Sequence, residues 1–212
     1  MRTHTKETQQ SLTPAKAKQI LIEGNQRFMN NIKMNRNLLQ QVNDTSDGQF
    51  PFAVILSCID SRTSSELIFD QGLGDIFSTR IAGNIINEDI LGSMEFACKL
   101  AGSKLVVVLG HSKCGAIKGA CDNAQLGHLT GLLAKIHPAI ESVKSVEGAR
   151  NSSNPDYVEK VSETNVKMMM HQIREKSLIL RELHNNGEIG IVGGMYNVDT
   201  GEVEFYPDEQ PA

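Results

Sequence analysis

Two nearly uninterrupted apolar runs, residues 52–56 and 104–109, dominate the pattern of this chain. Runs of this length without polar alternation are typical of parallel strands that are buried on both faces. A third strand-like run lies at residues 75–80, and a stretch with helical periodicity at residues 87–101 separates it from the run at 104–109. This order of strand, helix and strand predicts a parallel sheet with helices packed on its faces.

The end of the chain predicts a hairpin. Residues 189–198 and 203–206 are strand-like and flank the turn sequence Asp-Thr-Gly-Glu at 199–202, so we expect the last strand to be antiparallel. The predicted fold is therefore α/β, with a mostly parallel central sheet of four strands plus an antiparallel edge strand, flanked by helices and preceded by an N-terminal helical arm.

The region before the first strand divides into two parts. Residues 1–12 are polar, and we expect them to be disordered or frayed. Thr13 and Pro14 are a typical N-cap and first helical residue, and they predict a helical arm over residues 13–35. We expect the apolar stripe of this arm to contact another subunit, and packing on its own domain is the alternative. Residues 13–212 are predicted to form one domain.

Composition argues against several classes of partner. The net charge is −4 and no sustained cluster of Lys or Arg is present, which argues against nucleic acid and anionic membranes. No stretch reaches the roughly 20 apolar residues of a membrane span, and the N-terminus lacks the apolar region of a secretory signal, so we predict a cytoplasmic protein. Its four cysteines are then expected to be thiols or metal ligands. A disulfide between Cys58 and Cys114 is the alternative.

Two short motifs follow the two apolar runs directly. Cys58 follows the first run, and His111 and Cys114 follow the second. Because ligand sites in open α/β sheets form outside the carboxyl ends of the strands, we expect these three side chains to meet. Two thiolates and one imidazole form a known catalytic set for zinc, whereas structural zinc is nearly always held by four protein ligands. The sequence therefore predicts one catalytic Zn²⁺ per subunit.

Asp60 and Arg62 are predicted to assist the metal. Asp60 lies two residues from a ligand, where its carboxylate can accept a hydrogen bond from a water molecule on the metal. Arg62 can hold this carboxylate in a bidentate fork and keep it off the metal. Residues 63–66 read Thr-Ser-Ser-Glu and match a capping box, which predicts a helix just after Arg62.

These motifs resemble those of the β-class carbonic anhydrases, which are zinc enzymes that interconvert carbon dioxide and bicarbonate. The Cys-x-Asp-x-Arg motif of the family is similar to residues 58–62, its His-x-x-Cys motif to residues 111–114, and its turn after the second strand to residues 80–84. The resemblance implies reversible hydration of carbon dioxide to bicarbonate and a proton by metal-bound hydroxide. It also implies that Cys58, His111 and Cys114 are the zinc ligands and that Asp60 and Arg62 are the catalytic pair.

The resemblance further implies a substrate pocket and an assembly. Phe96 lies where some members of the family carry a tyrosine. The family forms homodimers or homotetramers, with the pocket near the subunit boundary. The positions that match its pocket in this chain are Gln49, Phe77, Ala82, Phe96 and Gly115.

Two other interpretations of the sequence remain open at this point. The same scaffold and ligands would also suit a hydrolase that acts on carbon disulfide or carbonyl sulfide. The three ligands would also suit a non-catalytic structural zinc or redox-sensing module.

Overall fold

The computed structural model describes residues 3–207 and contains a five-stranded sheet in the order β2-β1-β3-β4-β5. Strands β1 to β4 are parallel, and β5 pairs with β4 in antiparallel fashion, which confirms the predicted fold class. The strands are β1 (Ala53–Ser57), β2 (Ile76–Arg80), β3 (Leu105–His111), β4 (Gly190–Tyr196) and β5 (Val203–Phe205).

The two central strands are buried along their whole length. Every residue of β1 and β3 is buried, as expected for apolar runs that lack a polar face. Alternate side chains point to opposite faces of the sheet, so each strand contributes to two separate cores. Val54 and Val106 belong to one core, while Ile55 and Val107 belong to the other.

Ten α-helices within the described residues cover the two faces of the sheet. A short 3₁₀ turn, Ala82–Asn84, follows β2, and a π-helical segment, Phe96–Leu100, continues the fifth helix. None of the helices within residues 3–207 is both long enough and apolar enough to cross a membrane. The helices are α1 (Lys6–Gln10), α2 (Pro14–Met29), α3 (Leu38–Asp44), α4 (Ser65–Ile68), α5 (Glu88–Glu95), α6 (Gly115–Cys121), α7 (Gly127–Leu133), α8 (His137–Ser142), α9 (Pro155–Lys176) and α10 (Leu178–Asn185).

The N-terminal segment differs from the frayed segment expected over residues 1–12. Lys6–Gln10 forms a helix whose N-cap, Thr5, makes a reciprocal capping box with Thr8. Gln9 is buried, and its Nε2 donates to the carbonyl oxygens of Pro51 (2.7 Å) and Ala101 (2.8 Å). These long-range bonds fix the helix on the domain. Residues 1 and 2 of the expected frayed segment lie outside the described residues.

The helical arm packs on its own domain along one face. Ala17 and Leu21 of α2 are fully buried in the same core as Ile55 and Val107. Farther along, Ile32 and Leu39 are large apolar side chains that are 65% and 72% exposed. The buried face therefore follows the alternative interpretation, while contact of the arm with another subunit stays a prediction.

Candidate metal centre

The three predicted metal ligands meet at the carboxyl ends of the two central strands. Cys58 directly follows β1, His111 is the last residue of β3, and Cys114 is the N-cap of α6. Their ligand atoms all lie within 4.8 Å of one another, and the two Sγ atoms are 4.0 Å apart. All three side chains are buried, so the cluster is shielded from bulk water.

The ring of His111 has the orientation that a metal ligand requires. Its Nδ1 lies 2.9 Å from the carbonyl oxygen of Ser112, to which an N–H on this nitrogen would donate. That tautomer leaves a lone pair on Nε2, which is buried and has no hydrogen-bond partner among residues 3–207. A backbone carbonyl that fixes the second ring nitrogen is the usual support for a ligating histidine. The unpartnered Nε2 and the two sulfurs form a donor set that fits zinc.

The two cysteines interact strongly with each other. The hydrogen bond from Cys114 lowers the pKa of Cys58 to about 4. Burial opposes this change, and the contact with His111 adds to it. The same contact with Cys58, together with burial, raises the pKa of Cys114 far above its ordinary value. In the absence of metal the pair therefore holds one proton between two sulfurs. A divalent cation can take the place of that proton and keep both sulfurs ionised.

The 3₁₀ turn after β2 approaches the sulfur of Cys58. The backbone N–H of Gly83 donates to Cys58 Sγ at 3.4 Å, a distance within the longer range of hydrogen bonds to sulfur. Gly83 has a φ of +69°, in the left-handed region that favours glycine. A Cβ atom at this position would lie 2.8 Å from Cδ1 of Ile136. The positive φ is the main reason for glycine here, since the end of the Ile136 side chain could shift to admit a Cβ atom.

Asp60 and Arg62 form the predicted bidentate pair. Arg62 Nε donates to Asp60 Oδ1 at 2.9 Å, and Arg62 Nη2 donates to Oδ2 at 2.8 Å. The backbone N–H of Arg62 also donates to Oδ1, at 3.0 Å. Hydrogen bonds from Arg62 hold the pKa of Asp60 well below its usual range, so the carboxylate stays ionised. Asp60 is not part of the cluster of ligand atoms that the described residues form.

Two residues that sequence analysis did not assign support this loop. Arg80 Nε donates to the carbonyl oxygen of Cys58 at 3.1 Å, and Arg80 Nη2 donates to that of Asp60 at 2.6 Å. Thr63 Oγ1 lies 2.9 Å from each of the same two oxygens. A signal for Arg80 existed in the sequence, because it is the last residue of the strand beside β1 and pairs in register with Ser57.

The predicted substrate residues fall into two groups. Ala82 lies in the turn that contacts Cys58, and Gly115 follows Cys114, with open space where a Cβ would point. These two residues therefore lie beside the candidate metal ligands. Their roles toward substrate stay predictions.

The second group lies apart from the candidate metal ligands within one subunit. The rings of Phe77 and Phe96 meet edge to face with centroids 6.2 Å apart. Phe77 pairs with Val54, four residues before Cys58, which is about 13 Å along the strand. Gln49 is exposed and precedes the opposite end of β1. A single subunit therefore does not bring these three side chains to its own candidate metal ligands.

Known proteins share both the sequence and the fold of this chain. The family model described as carbonic anhydrase matches residues 53–203. Carbonic anhydrase 2 of Mycobacterium tuberculosis is 34% identical over 191 residues, which cover 89% of this chain and 90% of that protein. The carbonic anhydrase of Mycolicibacterium smegmatis is 31% identical over 198 residues, covering 91% of this chain and 93% of that protein.

Solved structures agree with the sequence matches. The β-carbonic anhydrase CcaA superimposes with a TM-score of 0.69 at 27% identity, covering 90% of this chain and 95% of that one. The β-carbonic anhydrase CafA of Aspergillus fumigatus gives a TM-score of 0.69 at 25% identity, covering 93% and 90%. Since the family model spans most of the chain and the relatives match nearly end to end, this chain belongs to the β-class carbonic anhydrases.

Proposed function

We propose that this protein catalyses the reversible hydration of carbon dioxide to bicarbonate and a proton, with one Zn²⁺ per subunit held by Cys58, His111 and Cys114. The observation that carries the proposal is the convergence of these three ligand atoms within 4.8 Å, with Asp60 held outside the cluster by Arg62. A tetrahedral metal with three protein ligands keeps one position for solvent or substrate. Zinc in such a site supplies an acidic water molecule that can attack an electrophile near neutral pH.

The proposed role of Asp60 is to orient the attacking water. Oδ1 of Asp60 accepts from both Nε and the backbone N–H of Arg62, whereas Oδ2 accepts only from Nη2 among the described residues, so Oδ2 can still accept a second hydrogen bond. An ionised Asp60 can accept a hydrogen bond from the water. This bond would orient the water so that an oxygen lone pair points at the carbon of carbon dioxide. Arg62 keeps this carboxylate charged and prevents it from moving onto the metal.

The remaining substrate contacts are proposed to come from a second subunit. Phe96 is a large aromatic side chain that is 53% exposed, and Gln49 is exposed as well. Neither reaches the metal ligands of its own subunit, but a homodimer or homotetramer could place them beside the ligands of a neighbour. We propose that Phe77 and Phe96 form an apolar wall there, that Gln49 donates its amide to the substrate, and that Ala82 and Gly115 leave room for it.

A cytoplasmic location is also proposed. The four cysteines are all free, and two of them lie 4.0 Å apart at the metal site. Free thiols at this distance persist most readily in a reducing compartment.

The test combines metal analysis with carbon dioxide hydration by stopped-flow measurement. The purified protein should contain one zinc per chain, and Asp60→Ala should keep the zinc but lose roughly 10²-fold or more in kcat/KM. The exposed loop residue Asp47 provides a matched control, since Asp47→Asn should leave the rate unchanged. Zinc without hydration activity would defeat the proposal, and preferential turnover of carbon disulfide would favour the hydrolase instead.

A further inference from the structure

Helix α9 holds the turn that contacts Cys58. Asn165 is only 1% exposed, and its Nδ2 donates to the carbonyl oxygen of Gly83 at 2.9 Å. Met169, one helical turn farther along, accepts a hydrogen bond at Sδ from the N–H of Ile86 at 3.3 Å. Two side chains on the same face of α9 therefore fasten the chain just after β2.

Gly83 carries two hydrogen bonds with different purposes. Its carbonyl oxygen accepts from Asn165, and its N–H donates to Cys58 Sγ at 3.4 Å. The φ of +69° is part of this turn conformation, and the contact of the Gly83 N–H with Cys58 depends on that conformation. The bond to Asn165 fixes the peptide plane that follows Gly83, and this restricts the direction in which the Gly83 N–H can point.

We infer that Asn165 is a positioning residue for the metal centre, which acts through Gly83 to keep a hydrogen-bond donor on the sulfur of Cys58. The inference rests on the proposed function, because it concerns Cys58 as a zinc ligand. A donor to a ligating sulfur fixes the direction of its lone pairs, which governs zinc retention, and lowers the energy of the sulfur electrons, which the spectrum of a bound metal reports. Among the described residues, Asn165 is not one of the three clustered ligands, and its side-chain hydrogen bond goes to Gly83 and not to those ligands or to Asp60.

The alternative explanation is that Asn165 only fills the core. Met169 provides the matched control, because it lies on the same helix face, is equally buried, and contacts the same segment without reaching Gly83. Met169→Leu conserves volume and removes one weak hydrogen bond to sulfur. A role in packing alone predicts that variants at both positions behave alike at the metal.

The experiment measures zinc retention in the variants Asn165→Leu and Met169→Leu, loaded with zinc and then mixed with excess chelator. We expect Asn165→Leu to lose zinc roughly 10-fold faster or more, the usual scale for the loss of a residue that supports a ligand, and Met169→Leu to stay near wild type. Equal rates of zinc loss in Asn165→Leu and Met169→Leu would overturn the inference.

A spectroscopic readout separates the sulfur contact from general loosening. In cobalt(II)-loaded protein, the sulfur-to-cobalt charge-transfer band should move to longer wavelength in Asn165→Leu, because an unbonded thiolate gives up its electrons more easily. The band of Met169→Leu should not move, and an unmoved band in Asn165→Leu would overturn the inference.

Two further measurements keep the outcome decisive. If Asn165→Leu does not fold, Asn165→Ala removes the same donor without adding bulk, and its zinc loss and cobalt spectrum decide the question. If the wild-type protein binds no zinc, the proposed function fails. If wild type binds zinc and hydrates carbon dioxide but the Asn165 variants match it, only the inference about Asn165 fails.

Discussion

Arg62 occupies both carboxylate oxygens of Asp60, through Nε to Oδ1 at 2.9 Å and Nη2 to Oδ2 at 2.8 Å. Asp60 is close to the predicted metal ligands in sequence, and it is this pair of bonds that determines where its charge lies. Without the fork, we expect this carboxylate to become a fourth ligand of the predicted metal and to close the site.

Replacing Arg62 by Gln should therefore lower the rate of carbon dioxide hydration. We expect a loss of roughly 10- to 100-fold, the range found when a residue that orients a metal-site group is removed. X-ray absorption of the zinc should show an added oxygen ligand. Lys113→Gln is the control, because it breaks an exposed ion pair with Asp199 (2.7 Å) and should change little. Full activity of Arg62→Gln would contradict this role.

Removal of zinc should make one cysteine selectively reactive. In the metal-free protein the contact with Cys114 lowers the pKa of Cys58 to about 4, whereas burial raises the pKa of Cys98 to about 12 and that of Cys121 to about 11. Because the thiolate is the nucleophile, iodoacetamide at neutral pH should label Cys58 first, as read by peptide mass spectrometry. Readdition of zinc should block this labelling, and preferential labelling of Cys98 or Cys121 would contradict the prediction.

The buried carboxylate of Asp70 should control acid stability. Burial by itself raises the pKa of Asp70, but hydrogen bonds from Arg27 (2.6 Å) and from Arg36 outweigh it, so the pKa lies below its ordinary value. A group with a lowered folded pKa stabilises the protein at pH values above its unfolded pKa, about 3.9, and loses this effect as the pH falls further.

Asp70→Asn should therefore destabilise the protein at neutral pH by about 3 kcal/mol, because two arginines lose their buried partner. Denaturant unfolding at pH 7 and at pH values below about 4 measures the difference, which should shrink at acidic pH. The exposed pair Lys160–Glu163 provides a control, since Lys160→Ala should cost under about 1 kcal/mol. A constant difference at all pH values would count against the prediction.

Gly83→Ala should weaken both the fold and the metal centre. The new Cβ would lie 2.8 Å from Ile136 at a backbone φ of +69°, and strain of this kind costs on the order of 1–3 kcal/mol. The midpoint temperature of thermal unfolding and the zinc content of the protein should both fall. Gly131→Ala is the matched control, because no atom lies within 4 Å of its Cβ position in α7, and there alanine should stabilise slightly.

Mixing two inactive variants should restore activity if neighbouring subunits share the site. Gln49→Ala removes a proposed substrate contact, and Asp60→Ala removes the water-orienting group. In a mixed oligomer that has been unfolded and refolded together, one site in some dimers would keep both residues intact. We expect partial recovery of hydration activity in the mixture and none in either variant alone. No recovery in oligomers confirmed to be mixed would place Gln49 outside the shared site.

The parts of the site that sequence could predict are those carried by strand ends. Cys58 and His111 each come straight after a buried apolar run, and adjacent parallel strands bring such positions together. Asn165 and Gly83, by contrast, are 82 positions apart, and no local pattern marks an asparagine on a long amphipathic helix as a partner for a distant turn. Contacts of this kind depend on how α9 packs over the sheet.

A predicted capping motif also competed with other hydrogen bonds near the candidate metal centre. The sequence at residues 63–66 predicts a capping box, but Ser64 is the N-cap of α4 and makes no side-chain cap bond. Thr63 instead bonds the carbonyl oxygens of Cys58 and Asp60, and Glu66 accepts from Ser78 at 2.6 Å. Thr63 is thus engaged by the loop just before it and Glu66 by a strand 12 positions farther along, so the predicted capping box was wrong here.

The side chain of Gln9 makes the N-terminal helix important for any shortened version of this protein. Its amide donates hydrogen bonds to two carbonyl oxygens, that of Pro51 before β1 and that of Ala101 before β3. A shortened version that starts at residue 13 would leave both oxygens without this donor. The two oxygens precede β1 and β3, the strands whose carboxyl ends lie at Cys58 and His111. Truncation at the N-terminal end would thus disturb the edge of the sheet where β1 and β3 begin, which is far in sequence from the removed residues.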